Sequence, residues 1–257
     1  TTRARGASTT IAVGIDASQT AIGATATVSS DNESEGVVAR ESAWSEVNSQ
    51  DTGSDGPVAI SPDGSLVAHG EGSNVIVYET QSESPVQNIS VASSDIASLD
   101  WHPDGDRLAI GTFGNNLHVY DQSANTLLDT LNYGYTVWAV AWSPGGDNLA
   151  VGVGTRYKDG AQTDQGAAYI LDADSRGQLR AVTGDDIARE GDVAWSASGD
   201  KWAVAGGGPQ EQDGAEVRVY ETGGNQLATL DSFDGIVHGV AFARDGTRIV
   251  TAHGGYP

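Results

Sequence analysis

The sequence predicts an all-β chain, built from repeated four-stranded antiparallel units that stack radially as the blades of a propeller. Three observations carry this expectation. A strand–turn–strand phrase, clearest in WAVAWSPGGDNLAVGVG (Trp138–Gly154), recurs along the chain. The turn glycines of the recurrences, Gly64, Gly105, Gly146, Gly199 and Gly246, are spaced 41, 41, 53 and 47 residues apart. A period of about 40–45 residues with four strands per unit is the signature of a propeller. An acid also closes the third strand of each unit, at Glu79, Asp121, Asp172 and Glu221. One such unit is too small to bury its own faces, whereas neighbours stacked around an axis bury a continuous core.

Residues 1–10 are small, polar and slightly basic, and read as an arm. Thr9–Ser30 carries two β-like runs around the turn DASQ, and GVVARESAWSEV offers one or two more strands. Residues 1–50 are therefore expected to form an arm plus a diverged blade, or the strands that close the ring. NSQDTGSDG (Asn48–Gly56) reads as a linker, and residues 57–257 as the propeller. The first clean unit is PVAISPDGSLVAHG, then NVIVYE, then PVQNISV. The second is ASLDWHPDGDRLAIGTFG, NLHVYD and TLLDTL. The third is the opening phrase with AAYILDAD and QLRAV. The fourth is GDVAWSASGDKWAVAGGG, EVRVYE and QLATL. A fifth, HGVAFARDGTRIVTAHGG, offers two strands before Pro257. Five to seven blades fit these units. Six is the expected number, the last incomplete or completed by the N-terminal segment or a partner.

The residue types suit the architecture. Small apolar first strands such as AVAW and GVAF fit the crowded wall of a central channel. In SPDG, Pro presets the turn and Gly supplies a positive φ. Trp101, Trp142, Trp195 and Phe242 share one slot, which points to packing between blades. His69 and His253 read as occupants of one slot near the end of the second strand, with a structural role.

Here the units resemble WD-repeat β-propellers. The turns Ser61–Gly64, His102–Gly105 and Ser143–Gly146 match the family's SPDG type. Tyr78-Glu79, Tyr120-Asp121 and Tyr220-Glu221 match its aromatic–acid pair, from which Leu171-Asp172 departs. The Gly-His pair usual before the first strand is missing. The resemblance covers about residues 57–253. It implies a rigid disc used for protein–protein contact.

Asp and Glu number 35 against 13 Lys and Arg, for a net charge of −22, and Lys158 and Lys201 are the only lysines. Charges this dense repel in dilute buffer. At molar salt the screening length falls to about 3 Å and the repulsion fades. The balance points to a salt-loving archaeon, or a virus of one, and to a high-salt environment inside or outside the cell. It argues against nucleic acid as a partner, which needs a basic patch. The absence of Cys excludes disulfides and thiolate chemistry. No apolar run is long enough for a membrane-spanning helix.

Two units gain length between their second and third strands, at Gly154–Gly166 and Gly206–Glu216. Adjacent blades would project both loops from one face, and such insertions mark binding surfaces. The expected partner-binding residues are Arg156, Tyr157, Lys158, Asp159, Asp164, Gln210, Glu211 and Asp213. Of these, Asp159, Asp164, Glu211 and Asp213 are the candidates to hold Ca²⁺ or Mg²⁺ through oxygen; no other cofactor is expected. DADSRG (Asp172–Gly177) begins like a calcium loop, but has Arg176 at a ligand position and Thr183 at the twelfth, and reads as a turn. No HExxH, GxSxG or P-loop is present, and no catalytic residue is assigned. Asn32 and Asn88 begin short glycosylation patterns that chance explains. The leading expectation is a non-enzymatic interaction module of a halophile, with protein partners that include copies of itself or subunits of an assembly. A virus-particle or surface-appendage component is the first alternative. An enzyme or small-ligand or carbohydrate binder with its site at the central channel is the second.

Overall fold

In a computed structural model, the residues described are 56–81, 85–91, 94–155, 166–184, 187, 191–207, 215–233 and 235–254. The expected N-terminal arm, diverged blade and linker, residues 1–55, lie outside them.

The repeated turns fold as their chemistry demands. Gly64, Gly105, Gly146, Gly199 and Gly246 all have positive φ, between 65° and 80°. Each turn glycine N–H donates to the carbonyl three residues back, as in Gly64 to Ser61 at 2.8 Å. In three turns that first residue is a buried serine, and its hydroxyl accepts the N–H that opens the next strand: Leu66 to Ser61, Asn148 to Ser143, Lys201 to Ser196. The strands on either side thus pair antiparallel and in register.

The result is a β-propeller with no helix among the described residues. Blade 1 comprises β1 (Val58–Ile60), β2 (Leu66–Glu71), β3 (Asn74–Glu79) and β4 (Pro85–Ser90). Blade 2 has β5 (Ile96–Trp101), β6 (Arg107–Thr112), β7 (Asn116–Asp121) and β8 (Thr126–Asn132). Blade 3 has β9 (Thr136–Trp142), β10 (Asn148–Gly154), β11 (Gly166–Asp172) and β12 (Gln178–Gly184). Blade 4 has β13 (Val193–Trp195), β14 (Lys201–Gly206), β15 (Ala215–Glu221) and β16 (Gln226–Phe233). Blade 5 shows β17 (Ile236–Phe242) and β18 (Ile249–Gly254). Every blade is antiparallel in simple sequence order. The first strands of successive blades, from β1 through β17, lie side by side around the axis.

Four apolar clusters fill the four joints between these blades. The shared aromatic slot belongs to them. Trp101 donates its indole N–H to the Ala59 carbonyl of the preceding blade at 3.3 Å, and Trp195 donates to Ala141 at 3.0 Å. Trp142 stands edge-on to His102 of blade 2, centroids 4.7 Å apart. His102 replaces the turn serine and reaches forward instead: its Nε2 lies 2.9 Å from the Gly146 carbonyl oxygen.

That contact separates two otherwise equal glycines. A Cβ at Gly64 would meet nothing within 4 Å, whereas one at Gly146 would sit 2.6 Å from His102 Nε2. Gly64→Ala is expected to cost about 1 kcal/mol, the left-handed penalty alone. Gly146→Ala is expected to cost about 2–3 kcal/mol, because a packed, buried ring must also shift. Urea midpoints in molar KCl measure both.

Two expectations are corrected. His69 and His253 do not share a slot. His69 stands opposite Val58 and is fully buried, while His253 stands opposite Val237, farther from the turn, and is exposed. Matching the similar phrases VAHG and TAHG by eye slips the register, because the residues paired across each turn differ. Nor is every first strand purely apolar: Asp100 lies in β5 and Asp192 immediately precedes β13.

Candidate functional site

Antiparallel order assigns each connection to one of two faces. The five Gly turns join first to second strands and lie on one face, here the turn face. Second-to-third connections, and those from a fourth strand to the next blade, lie on the other, the loop face. The two long insertions leave and re-enter the sheets on the loop face, at Gly154 and Gly166 in blade 3 and at Gly206 and Ala215 in blade 4. Arg156, Tyr157, Lys158, Asp159, Asp164, Gln210, Glu211 and Asp213 all lie outside the described residues, and so does the cation site suggested for four of them. Among the described residues, no group of three or more His, Asp or Glu could hold a metal ion. Asp172, the first residue of DADSRG, accepts hydrogen bonds from Ser175 and Asp174 within its own turn.

What the sequence did not announce is how the first strands end on the loop face. In blades 2, 3 and 5 the pairing slips at the same place, four residues before the aromatic slot. Ala97, Trp138 and His238 are each left out of the ladder. A bulge re-aims the side chain it releases. In blades 1 and 4 the same position is Gly56 and Gly191. A Cβ there would run into the carbonyl oxygens of Gly70 and Ala205 at 1.8 and 1.9 Å. Around the rim the order is therefore Gly, Ala, Trp, Gly, His, and the two large side chains flank blade 4.

Trp138 is held in place. Its indole N–H donates to the Gly154 carbonyl at 3.1 Å, at the root of the blade 3 insertion. Its ring meets Phe113 of blade 2 edge-on, centroids 5.5 Å apart. It stays partly exposed. Against the cluster between blades 2 and 3, Tyr133 stacks on Tyr169 at 5.1 Å, and burial raises the Tyr133 phenol above its ordinary pKa. Tyr135, between them in chain order, is 36% exposed.

The two carboxylates line the channel beneath this rim. Asp100 Oδ2 accepts the Trp142 N–H of β9 at 2.6 Å. Asp192 Oδ2 accepts the Val240 N–H of β17 at 3.0 Å, and its Oδ1 accepts from Val193 at 2.8 Å. Each carboxylate thus satisfies an N–H on the free inner edge of the next blade. Desolvation pushes Asp100 up to about 7, with a smaller contribution from the charge of Asp192. Desolvation raises Asp192 too. No cation among the described residues is paired with either. A lone Asp inside each of the apolar phrases SLDW and GDVAW was the available signal. The bond that each makes to the next blade, to Trp142 and to Val240, could not be read from it.

A family model described as the anaphase-promoting complex subunit 4 WD40 domain matches residues 58–145, from β1 to the turn after β9. The chain is similar in structure to Kuenenia stuttgartiensis hydrazine synthase, with a TM-score of 0.66 and 20% identity. It is likewise similar to a chain in the crystal structure of a mitotic checkpoint complex, with a TM-score of 0.63 and 20% identity. Each likeness covers 76% of this chain and 60% of the other, and shows a shared propeller fold. No curated protein matches the chain.

Proposed function

We propose that this propeller is a non-catalytic interaction module of a salt-loving organism, and that it meets protein partners through its loop face. The observation that carries the reading is the coincidence on one face of the two long insertions with the rim occupied by Trp138 and His238. The WD40 match over blades 1 and 2 supports an interaction scaffold.

A photo-cross-linking residue at Tyr157 tests the face, with a second variant carrying it at Arg244 on the turn face. In extract of the source organism at molar KCl, covalent partner adducts are expected from the first variant. Adducts from the turn face alone would overturn the assignment.

The salt reading rests on the charge of −22. Raising KCl from tenth-molar to molar shortens the screening length from about 10 to about 3 Å. The thermal midpoint is expected to rise steadily over that range. A midpoint indifferent to KCl would count against a halophilic origin.

A further inference from the structure

We infer that residues Ile11–Val28 of this same chain complete blade 5, with Ile11–Asp16 as its third strand against β18, Thr20–Val28 as its fourth, and the Ile15 side chain in the groove between blades 4 and 5.

The groove lies where the other joints are filled. Among the described residues β18 pairs only with β17, so its outer edge is open. Ala68, Ala109, Ala150 and Ala203 hold one position on the second strands of blades 1 to 4 and are fully buried; Val250 holds it on β18 and is 68% exposed. Ile89, Leu131 and Val182 of the fourth strands pack into the joint with the following blade. Leu230, at their position in blade 4, is 42% exposed. In those three joints the following blade contributes a large residue from the end of its third strand: Tyr120, Leu171 or Tyr220. The joint between blades 4 and 5 has instead a groove of about 430 Å³, lined by Val219, Leu227, Leu230, Phe242 and Ile249 with Lys201 beside them.

The open edge specifies its occupant. Across the second and third strands, Arg107 stands opposite Asp121 and Lys201 opposite Glu221. Arg248 holds that position on β18, with its side chain 77% exposed and an ion pair to Asp245 of its own turn. The edge therefore suits a strand that is bulky toward blade 4 and ends in a large apolar residue followed by an acid. Ile11–Asp16, IAVGID, is such a strand. With Asp16 opposite Arg248, Ile15 falls opposite Ile249, as Tyr220 falls opposite Trp202 in blade 4. Ile11, Val13 and Ile15 then share the side toward blade 4, and the small Ala12 and Gly14 the open side. The return fits as well. DASQ has no glycine, whereas all five first-to-second turns use one at positive φ; two of the third-to-fourth turns use Asn125 and Arg176. Ser18 follows Asp16 by two residues, as Ser123 follows Asp121 and donates its hydroxyl to that carboxylate at 2.8 Å. Ile22 follows Asp16 by six residues, as Leu227 follows Glu221. Third strands run from the loop face to the turn face and fourth strands return, so residues 1–10 and 29–56 both join the loop face. Residues 29–56 can span up to about 90 Å, which reaches β1 without any contact between blades 1 and 5.

The chain has no cysteine, so an introduced pair forms its only disulfide. In the full chain in molar KCl, Gly14→Cys with Val250→Cys is expected to oxidise to a monomer cross-linked within itself. Gly14→Cys with Ala252→Cys is two residues out of register and is expected to close about tenfold more slowly. Asp16→Arg added to the first pair is expected to slow closure about threefold, and Arg248→Asp in the same chain to restore it. Hydrogen exchange reads the same strand without cysteines. The β18 amides that are not bonded to β17 are expected to be protected in the parent and to exchange about tenfold faster in Ile15→Asp, while those of β10 keep their rates. A covalent dimer in place of the monomer would overturn the proposal and give the groove to a second copy. Equal closure of the two cysteine pairs would overturn it by showing a segment with no register. Protection of β18 that survives Ile15→Asp would overturn it by showing another strand in place, and rapid exchange in the parent by showing none.

Discussion

Trp202→Ala is expected to lower stability by about 4 kcal/mol, the largest loss from any single truncation in the propeller. Trp202 sits on β14 and is fully buried. In the other blades its position holds an aliphatic: Val67, Leu108, Leu149 and Ile249. The larger ring fits because blade 3 presents Ala139, Ala150 and Ala168 to it, with Ile170, Ile187, Val193 and Val204 around the edge. Tyr220 stacks on it at 4.9 Å, with the rings 23° apart. Truncation leaves a hole that three alanines on the facing blade are too short to fill. Trp202→Phe provides the sharper comparison. The indole N–H of Trp202 is buried with no acceptor among the described residues, and such a group costs about 1–3 kcal/mol. Phe removes that donor while keeping the stack, so its loss is expected to be less than half that of Ala. Urea denaturation of both variants in molar KCl measures this. A Phe variant as damaged as the Ala variant would show that the N–H is satisfied and that volume alone matters.

The repeating parts of this molecule were legible because each is settled within a few residues. A Gly that must adopt a positive φ, or a Ser that must accept the N–H five residues on, leaves its mark locally. The acids that close the third strands were legible for the same reason. Asp121 and Asp172 accept backbone N–H groups three residues later, at Ala124 and Ser175. The joints between blades were legible in kind, through the aromatic slot, but not in detail. Nothing local says that Trp202 will face three alanines about 35–60 residues earlier, or that Arg107 will cross to the carbonyl of Ala173 at 3.2 Å. The candidate site was the least legible. Bulges at Ala97, Trp138 and His238 appear only when two strands are paired and counted. Their common level appears only when blades are compared. The sequence does show where two blades grow longer, and the topology places that growth on the face where these bulges lie.

Asp100→Asn is expected to raise stability at pH 8 and to remove most of the pH dependence between pH 4 and 7. The folded chain holds the Asp100 carboxyl near 7, chiefly through desolvation in the channel wall, against a reference value of 3.8. Between those two values the folded state keeps a proton that the unfolded state has released. Stability is then highest below the unfolded pKa, falls as pH rises through the window, and levels off above about 7. Counted in full, a shift of about three pH units is worth about 4 kcal/mol. Asp100 is only partly buried, and water in the channel reduces the expectation to about 2 kcal/mol. Asparagine keeps an oxygen to accept the Trp142 N–H and carries no charge at any pH, so the variant isolates ionisation from hydrogen bonding. The turn carboxylates do not confuse the measurement. Asp63, hydrogen-bonded by Ser61, and Asp121, held by the Ala124 N–H, are lowered from 3.8, so their contribution is lost only at more acid pH. Asp192→Asn provides the second arm. Its own raised carboxyl contributes a slope of the same sign, and removing its charge is expected to move the Asp100 transition to lower pH. Urea midpoints at pH 5 and pH 8 for the parent, the two single variants and the double variant measure both effects. Parallel lines for parent and Asp100→Asn would mean that Asp100 is ionised in the folded channel throughout. A transition that ignores Asp192 would mean that the two carboxylates do not feel each other.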